Sequence, residues 1–137
     1  MRPSLAPGLE HELRLVVSDA ETVPALYPEA PEFRGMPAVF ASGFMIGLVE
    51  WACIRAIAEH LEPGELSLGI GFDLTHSAAT PPGMAVTARV RLEGVDGRRL
   101  SFAVRVDDER DRICNGTHRR FVVDRERFLA GVDRKRG

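Results

Sequence analysis

The segment from Ser42 to Leu61 (SGFMIGLVEWACIRAIAEHL) restricts the fold more than any other part of the chain. Ser42 has the side chain of a helix N-cap and Pro63-Gly64 is a stop signal, so one helix is expected over 42–61. From Phe44 to Ile54 that helix is apolar nearly all the way round, with the small residues Gly43, Gly47 and Ala52 along it. A helix that is apolar on every side has to be buried on every side. In a chain of 137 residues, which is one domain's worth, only a sheet wrapped around the helix can do the covering. The apolar run is interrupted by Glu50 and falls short of the roughly 20 residues needed to cross a bilayer.

The rest of the chain supplies the sheet. Residues 10–18 (EHELRLVVS) put Leu13, Leu15 and Val17 on one face of a first strand. Leu66, Leu68, Ile70, Phe72 and Leu74 alternate with Ser67, Gly69, Gly71, Asp73 and Thr75 in a second. After a Pro81-Pro82-Gly83 turn, Val86, Ala88, Val90 and Leu92 alternate with Thr87, Arg89, Arg91 and Glu93. Asp96-Gly97 signals a tight hairpin, beyond which Leu100, Phe102, Val104 and Val106 share a face. A last strand covers 112–123 with weaker alternation, and the tail from Asp124 reads as a short amphipathic helix with a basic end.

Between the first strand and the helix, Pro24, Pro28, Pro31 and Pro37 forbid a long regular element over 19–40. Leu26, Tyr27, Phe33, Met36 and Phe40 nevertheless keep that stretch apolar, so it reads as a structured cover. Strand, cover, buried helix and four antiparallel strands describe an α+β hot-dog fold, a curved antiparallel sheet around one central helix. It is expected to fill a single domain over 1–137.

Charge and cysteine usage narrow the setting. Twenty acidic and 18 basic residues give a net charge of −2, which argues against non-specific nucleic-acid binding. The N-terminal residues lack an apolar leader, and Cys53 and Cys114 have no CxxC spacing, so a cytoplasmic protein with reduced thiols and no membrane partner is expected. The sequon Asn115-Gly116-Thr117 then goes unused. Metal-ligand spacing, phosphate loops and a GxSxG elbow are all missing, so neither metal nor cofactor is expected. A domain this small buries only about two-thirds of its unfolded surface. It has little wall to enclose a substrate, and a site formed between subunits is anticipated.

Three residues stand out chemically. Glu50 is the only ionisable group in the apolar part of the helix, and an isolated buried carboxylate is costly. It either pairs with an arginine such as Arg120, faces a subunit interface or lines a cavity. Counting in twos from Leu66 places His76 on the core face at a strand end, next to the small residues Ser77, Ala78 and Ala79. It is either a core histidine bonded to backbone or a base facing a ligand. Ser42 is either a cap or a neighbour of the free amides at the helix start, where a developing oxyanion can be held. Ser42 and Glu50 are separated by roughly 12 Å along the helix and about 80° around it. They can serve one site only from opposite sides of a substrate. Gly69 and Gly71 lie inside a strand and let a ligand or a neighbouring backbone come close. His11, His60 and His118 are scattered, with surface or structural roles as the default.

Several blocks resemble the fluoroacetyl-CoA thioesterase family of hot-dog enzymes: Leu26-Tyr27-Pro28-Glu29, Val39-Phe40-Ala41-Ser42-Gly43-Phe44-Met45, Glu50-Trp51-Ala52-Cys53, and Thr75-His76-Ser77-Ala78-Ala79-Thr80-Pro81-Pro82-Gly83. Gly97-Arg98-Arg99-Leu100-Ser101 and Gly116-Thr117-His118 extend the likeness over nearly the whole chain. The resemblance implies a homodimer that hydrolyses acyl-CoA thioesters without a cofactor, CoA entering as part of the substrate. It carries the family's catalytic hydroxyl, carboxylate and imidazole onto Ser42, Glu50 and His76, and its substrate contacts onto Gly69 and Arg120. In that family the fluorine acidifies the α-carbon, the histidine removes an α-proton, and an apolar lid excludes water. Phe33 matches one lid aromatic. The family has threonine where this chain has Ser42, and a second lid phenylalanine where it has Met36. The Met36 departure bears on selectivity between fluoroacetyl and acetyl groups. Arg120, Arg98 and Arg119 are the cations expected to meet CoA phosphates. A hot-dog enoyl-CoA hydratase, which also uses a carboxylate and a histidine, and a non-catalytic acyl-CoA binding module are the alternatives.

Overall fold

The computed structural model describes residues 1–137. One antiparallel sheet holds β1 (Glu10–Val16), β2 (Glu65–Leu74), β3 (Ala85–Asp96), β4 (Arg99–Asp107) and β5 (Arg112–Asp124) in the spatial order β1-β3-β4-β5-β2. Two short helices, α1 (Val23–Leu26) and α2 (Pro31–Arg34), precede the long α3 (Ser42–Ile57), and α4 (Arg125–Lys135) follows β5. Asp96 pairs with Arg99 around Gly97-Arg98, and Gly97 takes φ +60° as the first central residue of this two-residue hairpin.

For α3, β3 and β4 the core is the expected one. Met45, Leu48, Val49, Ala52, Cys53 and Ile57 of α3 are buried together with Val86, Ala88, Val90 and Leu92 of β3 and Leu100, Phe102, Val104 and Val106 of β4. The alternation in β3 and β4 therefore points inward, and the sheet closes over one side of α3 in the hot-dog arrangement.

Three expectations need correction. The helix stops at Ile57 and passes into a single tighter turn, Ala58–His60, short of residue 61. Nor is it buried all round: Trp51 is 46% and Ile54 43% exposed, because a five-stranded sheet covers only one side of it. In β2 the pairing register slips between Gly69 and Gly71, leaving Ile70 as the extra residue of a bulge. Before the bulge, Ser67 and Gly69 lie opposite the inward residues Val122 and Arg120, so Leu66 and Leu68 face the outer side of the sheet. After it, Phe72 lies opposite His118 and faces the helix. Counting in twos from Leu66 thus arrives at the helix side for His76 only because the bulge flips the phase.

The cover is tied down at both ends. Phe40, 1% exposed, pairs with Thr22 in an isolated bridge and donates its backbone N–H to the Thr80 carbonyl at 2.8 Å. Pro24 and Pro31 sit in the first turns of α1 and α2, where a missing N–H costs nothing. Leu26 packs on the start of α3 at Gly43, where a Cβ would lie 3.1 Å from a Leu26 methyl.

Candidate active site

His76 lies beyond the last paired residue of β2, on a loop that stays pinned to β5. On either side of it, Thr75 N–H donates to the Asn115 carbonyl at 3.0 Å and Ser77 N–H to the Ile113 carbonyl at 2.8 Å. These bonds aim the imidazole at the start of α3, where its Nδ1 lies 2.7 Å from Ser42 Oγ. Ser42 is not the cap expected from its residue type. Ala41 is the N-cap, with no side-chain bond, and Ser42 is the first helical residue, its hydroxyl turned to the histidine. The first bond of the helix runs from Met45 N–H to the Ala41 carbonyl, so the amides of Ser42, Gly43 and Phe44 donate to no protein group.

The other imidazole nitrogen, His76 Nε2, is buried and has no hydrogen-bond partner. A buried N–H left orphaned is rarer than an acceptor left short. The favoured tautomer therefore carries its proton on Nδ1, donating to Ser42 Oγ, and leaves a free lone pair on Nε2. Burial also pushes the His76 pKa below its ordinary value of 6.5, so the ring is neutral at pH 7.

A second cluster forms two turns further along α3. Glu50 Oε2 accepts from Arg120 Nη1 at 2.9 Å, so the carboxylate is paired while its side chain stays 36% exposed. Arg120 itself is 2% exposed, and four of its five N–H groups have protein partners: Nε bonds Ser67 Oγ and Nη2 the Ser67 carbonyl, both at 2.8 Å, and Nη1 bonds His118 Nε2 at 3.1 Å as well as Glu50. In this chain its guanidinium is turned to Glu50, Ser67 and His118. Gly69 is where this cluster presses on the sheet. A Cβ there would lie 2.8 Å from Glu50 Oε2 and 3.5 Å from Arg120 Nη1. Beside Gly47, on the exposed face of α3, an added Cβ would meet nothing within 4 Å, which leaves open space between the two clusters.

A histidine–hydroxyl pair at a helix N-terminus and a separately held carboxylate invite comparison with known proteins. Residues 17–126 match the family model described as fluoroacetyl-CoA-specific thioesterase. The chain belongs to that family. It is thereby an acyl-CoA thioesterase, and the fluoroacetyl-CoA thioesterase of Streptantibioticus cattleyicolor is 50% identical to it over 135 residues, 98% of this chain and 97% of that protein. A solved structure of a fluoroacetyl-CoA thioesterase superposes with a TM-score of 0.94 at 51% identity, covering 96% of this chain and 98% of the other. A threonine-to-serine variant of such an enzyme, solved in complex with acetyl-CoA, gives a TM-score of 0.93 at 52% identity over the same shares of the two chains.

The remaining sequence-derived residues of the thioesterase lie on the cover, on β5 and at the β3–β4 hairpin. Phe33 on α2 is half-buried and stacks obliquely on Tyr27, the ring centroids 5.3 Å apart, while Met36 just beyond is 52% exposed. Arg119 lies over Gly71 on the outer side of the sheet, and Arg98 reaches the Val122 carbonyl and Glu65. Residue-type reasoning missed His118, which is fully buried, with its ring stacked on Phe72 at a centroid distance of 4.2 Å. A signal was present: counting back in twos from Val122 puts Arg120 and His118 on one face with it.

Proposed function

We propose that this thioesterase hydrolyses short-chain acyl-CoA, with fluoroacetyl-CoA as its first substrate, to the free acid and CoA. What carries the reading is the free Nε2 of a neutral His76, held by Ser42 next to the unbonded amides of Ser42, Gly43 and Phe44. Nε2 acts as general base and removes a proton from the α-carbon, which fluorine acidifies. Negative charge then develops on the thioester oxygen, where the Ser42 hydroxyl and the helix N-terminal amides receive it. The C–S bond breaks, the CoA thiolate takes the proton from His76, and water oriented by Glu50 adds to the acyl carbon. CoA enters only as part of the substrate, and side chains and amides suffice for each step. The two relatives support the substrate: one is named for fluoroacetyl-CoA, and the other accommodates acetyl-CoA with a serine in place of its threonine.

The same reading makes the enzyme a homodimer. Trp51 and Ile54 on α3, and Ile70 and Phe72 on the edge strand β2, are each more than 40% exposed, and Glu50 lies among them. A second copy pairing along β2 buries this surface, satisfies the open strand edge and closes the wall that one domain lacks. Ile70→Glu is expected to shift the sedimenting mass from dimer to monomer and to lower activity with it. A cytoplasmic location fits the two buried free cysteines.

The test is thiol release from fluoroacetyl-, acetyl- and longer acyl-CoA by the wild type and by His76→Ala. Fluoroacetyl-CoA is expected to be cleaved fastest, and His76→Ala to lose the reaction. Absence of thiol release from every substrate would sink the hydrolase reading, and equal rates on fluoroacetyl- and acetyl-CoA would remove the fluorine preference alone.

A further inference from the structure

His118 is a fully buried titratable group that the mechanism above does not use. Its two ring nitrogens have partners that fix its proton. Nδ1 lies 2.9 Å from the Gly71 carbonyl, which can only accept, so Nδ1 carries the hydrogen and donates it. Nε2 lies 3.1 Å from Arg120 Nη1, which can only donate, so Nε2 must present its lone pair. Both contacts are satisfied together in a single state, the neutral Nδ1–H tautomer. A proton on Nε2 would turn an acceptor into a second cation facing Arg120.

Arg120 is buried and bonded on its other sides to Ser67 and Glu50, so its orientation decides where the Glu50 carboxylate sits. We propose that His118 is a positioning residue for the thioesterase: its neutral ring, locked by the β2 bulge, holds the Arg120 guanidinium in the plane that presents Glu50 to the site. This rests on the reading of Glu50 given above. The groups facing His118 are Glu50 from α3, Arg120 from its own strand β5, and the uncharged rings of Phe72 from β2 and Phe102 from β4, while the charge of Arg119 acts from the other face of the sheet. Burial is the largest influence on its pKa and lowers it, the two arginines lower it further, and the Gly71 carbonyl and Glu50 oppose them. The acceptor is therefore kept at neutral pH and lost in acid.

The experiment compares steady-state thiol release by wild type, Glu50→Gln, His118→Phe and His118→Gln, with thermal unfolding of each. His118→Phe keeps an aromatic ring against Phe72 but removes both polar atoms. It is expected to fold, to lose roughly tenfold to hundredfold in kcat as Glu50 drifts, and to leave KM little changed. His118→Gln, with an amide donor and acceptor side by side, is expected to recover most of kcat. Its acid limb in log kcat is expected to depend on one proton fewer than the wild type's. In wild type, imidazole nitrogen chemical shifts are expected to report the Nδ1–H tautomer of His118 at pH 7, a readout that does not depend on any variant folding.

A His118→Phe kcat within twofold of wild type, alongside a large loss in Glu50→Gln, overturns the positioning role and leaves the reading of Glu50 standing. Full activity in Glu50→Gln overturns both. An Nε2–H tautomer or a charged ring at pH 7 overturns the proposal by itself.

Discussion

Replacing Gly69 with alanine separates the stability of the fold from the placement of Glu50. The added methyl carbon would start 2.8 Å from Glu50 Oε2, 3.3 Å from His118 Cε1 and 3.5 Å from Arg120 Nη1. Restoring ordinary contact requires the carboxylate to retreat by about 0.6 Å. Glu50 Oε2 and Arg120 Nη1 are 2.9 Å apart, so a retreat of that size along the bond carries the pair past the normal hydrogen-bond range. The atom displaced is the tip of a flexible side chain that is 36% exposed, so water can take over part of its solvation. The stability cost is therefore expected to stay near ~1 kcal/mol, a shift of a few degrees in Tm. Activity is expected to fall much further, by roughly tenfold to hundredfold in kcat, because the carboxylate is out of position while Ser42 and His76 are untouched. Thiol release and a thermal melt on the same preparation read both quantities. A variant with unchanged kcat would refute the claim that Glu50 must lie against the β2 backbone, and a collapse in Tm would show that the glycine serves the sheet instead. Gly116 provides the contrast: its φ is +151° and a Cβ would clash with the Asp73 carbonyl, so Gly116→Ala is expected to damage folding itself.

Ser42→Ala removes the hydroxyl that bonds His76 and that, on the proposed mechanism, faces the oxyanion, and is expected to cost about a hundredfold or more in kcat with little change in Tm, since Ser42 caps nothing; Ser42→Thr keeps the hydroxyl and is expected to retain most of the activity. His76 and His118 are both held below the ordinary histidine value of 6.5, chiefly by burial, so kcat is expected to be flat on the neutral side and to fall only in the acid part of a profile from about pH 5 to pH 8. Stability is expected to decline in the same direction. Below 6.5 the unfolded chain takes up protons that the folded one refuses, and the decline levels off once pH passes the folded values. Burial pushes Cys53 up to about 12 and Cys114 up to about 11, so a maleimide is expected to label neither thiol in the native protein at neutral pH and both after denaturation.

What could be read before the structure depended on how regular each element is. In β3 and β4 the apolar period of two is unbroken over the buried residues, and both strands face α3 along that stretch, so their inward faces were legible residue by residue. In β2 the same count fails because Ile70 is inserted without a partner, and the only trace of the bulge is the pair of glycines around it. The weak alternation of β5 has a different cause. Two of its inward positions hold His118 and Arg120, so hydropathy is silent where the chemistry is densest. The Ser42–His76 bond joins residues 34 apart in sequence, and no local periodicity encodes it; the residue types suggested the partners, and the pinned loop made the contact. The sequence offers Arg120 as a partner of Glu50, and the 2.9 Å bond between them is present; it joins residues 70 apart, beyond the reach of any local pattern.

The separation of the two clusters has an electrostatic reason. Positive potential at a helix N-terminus acts over the first turn only, so the amides at Ser42 favour an oxyanion there but do nothing for a carboxylate two turns further along. Left alone, Glu50 would repel charge developing on the thioester oxygen. Paired with Arg120 at 2.9 Å, it contributes a polar group with little net field. Arg120 in turn is buried and has to be matched by acceptors without adding further charge, and Ser67 and the neutral ring of His118 are such acceptors. The carboxylate cluster is thereby balanced within itself. The unpaired amides of Ser42, Gly43 and Phe44 remain to attract negative charge, which on the proposed mechanism draws the thioester oxygen to the end of the helix where His76 stands.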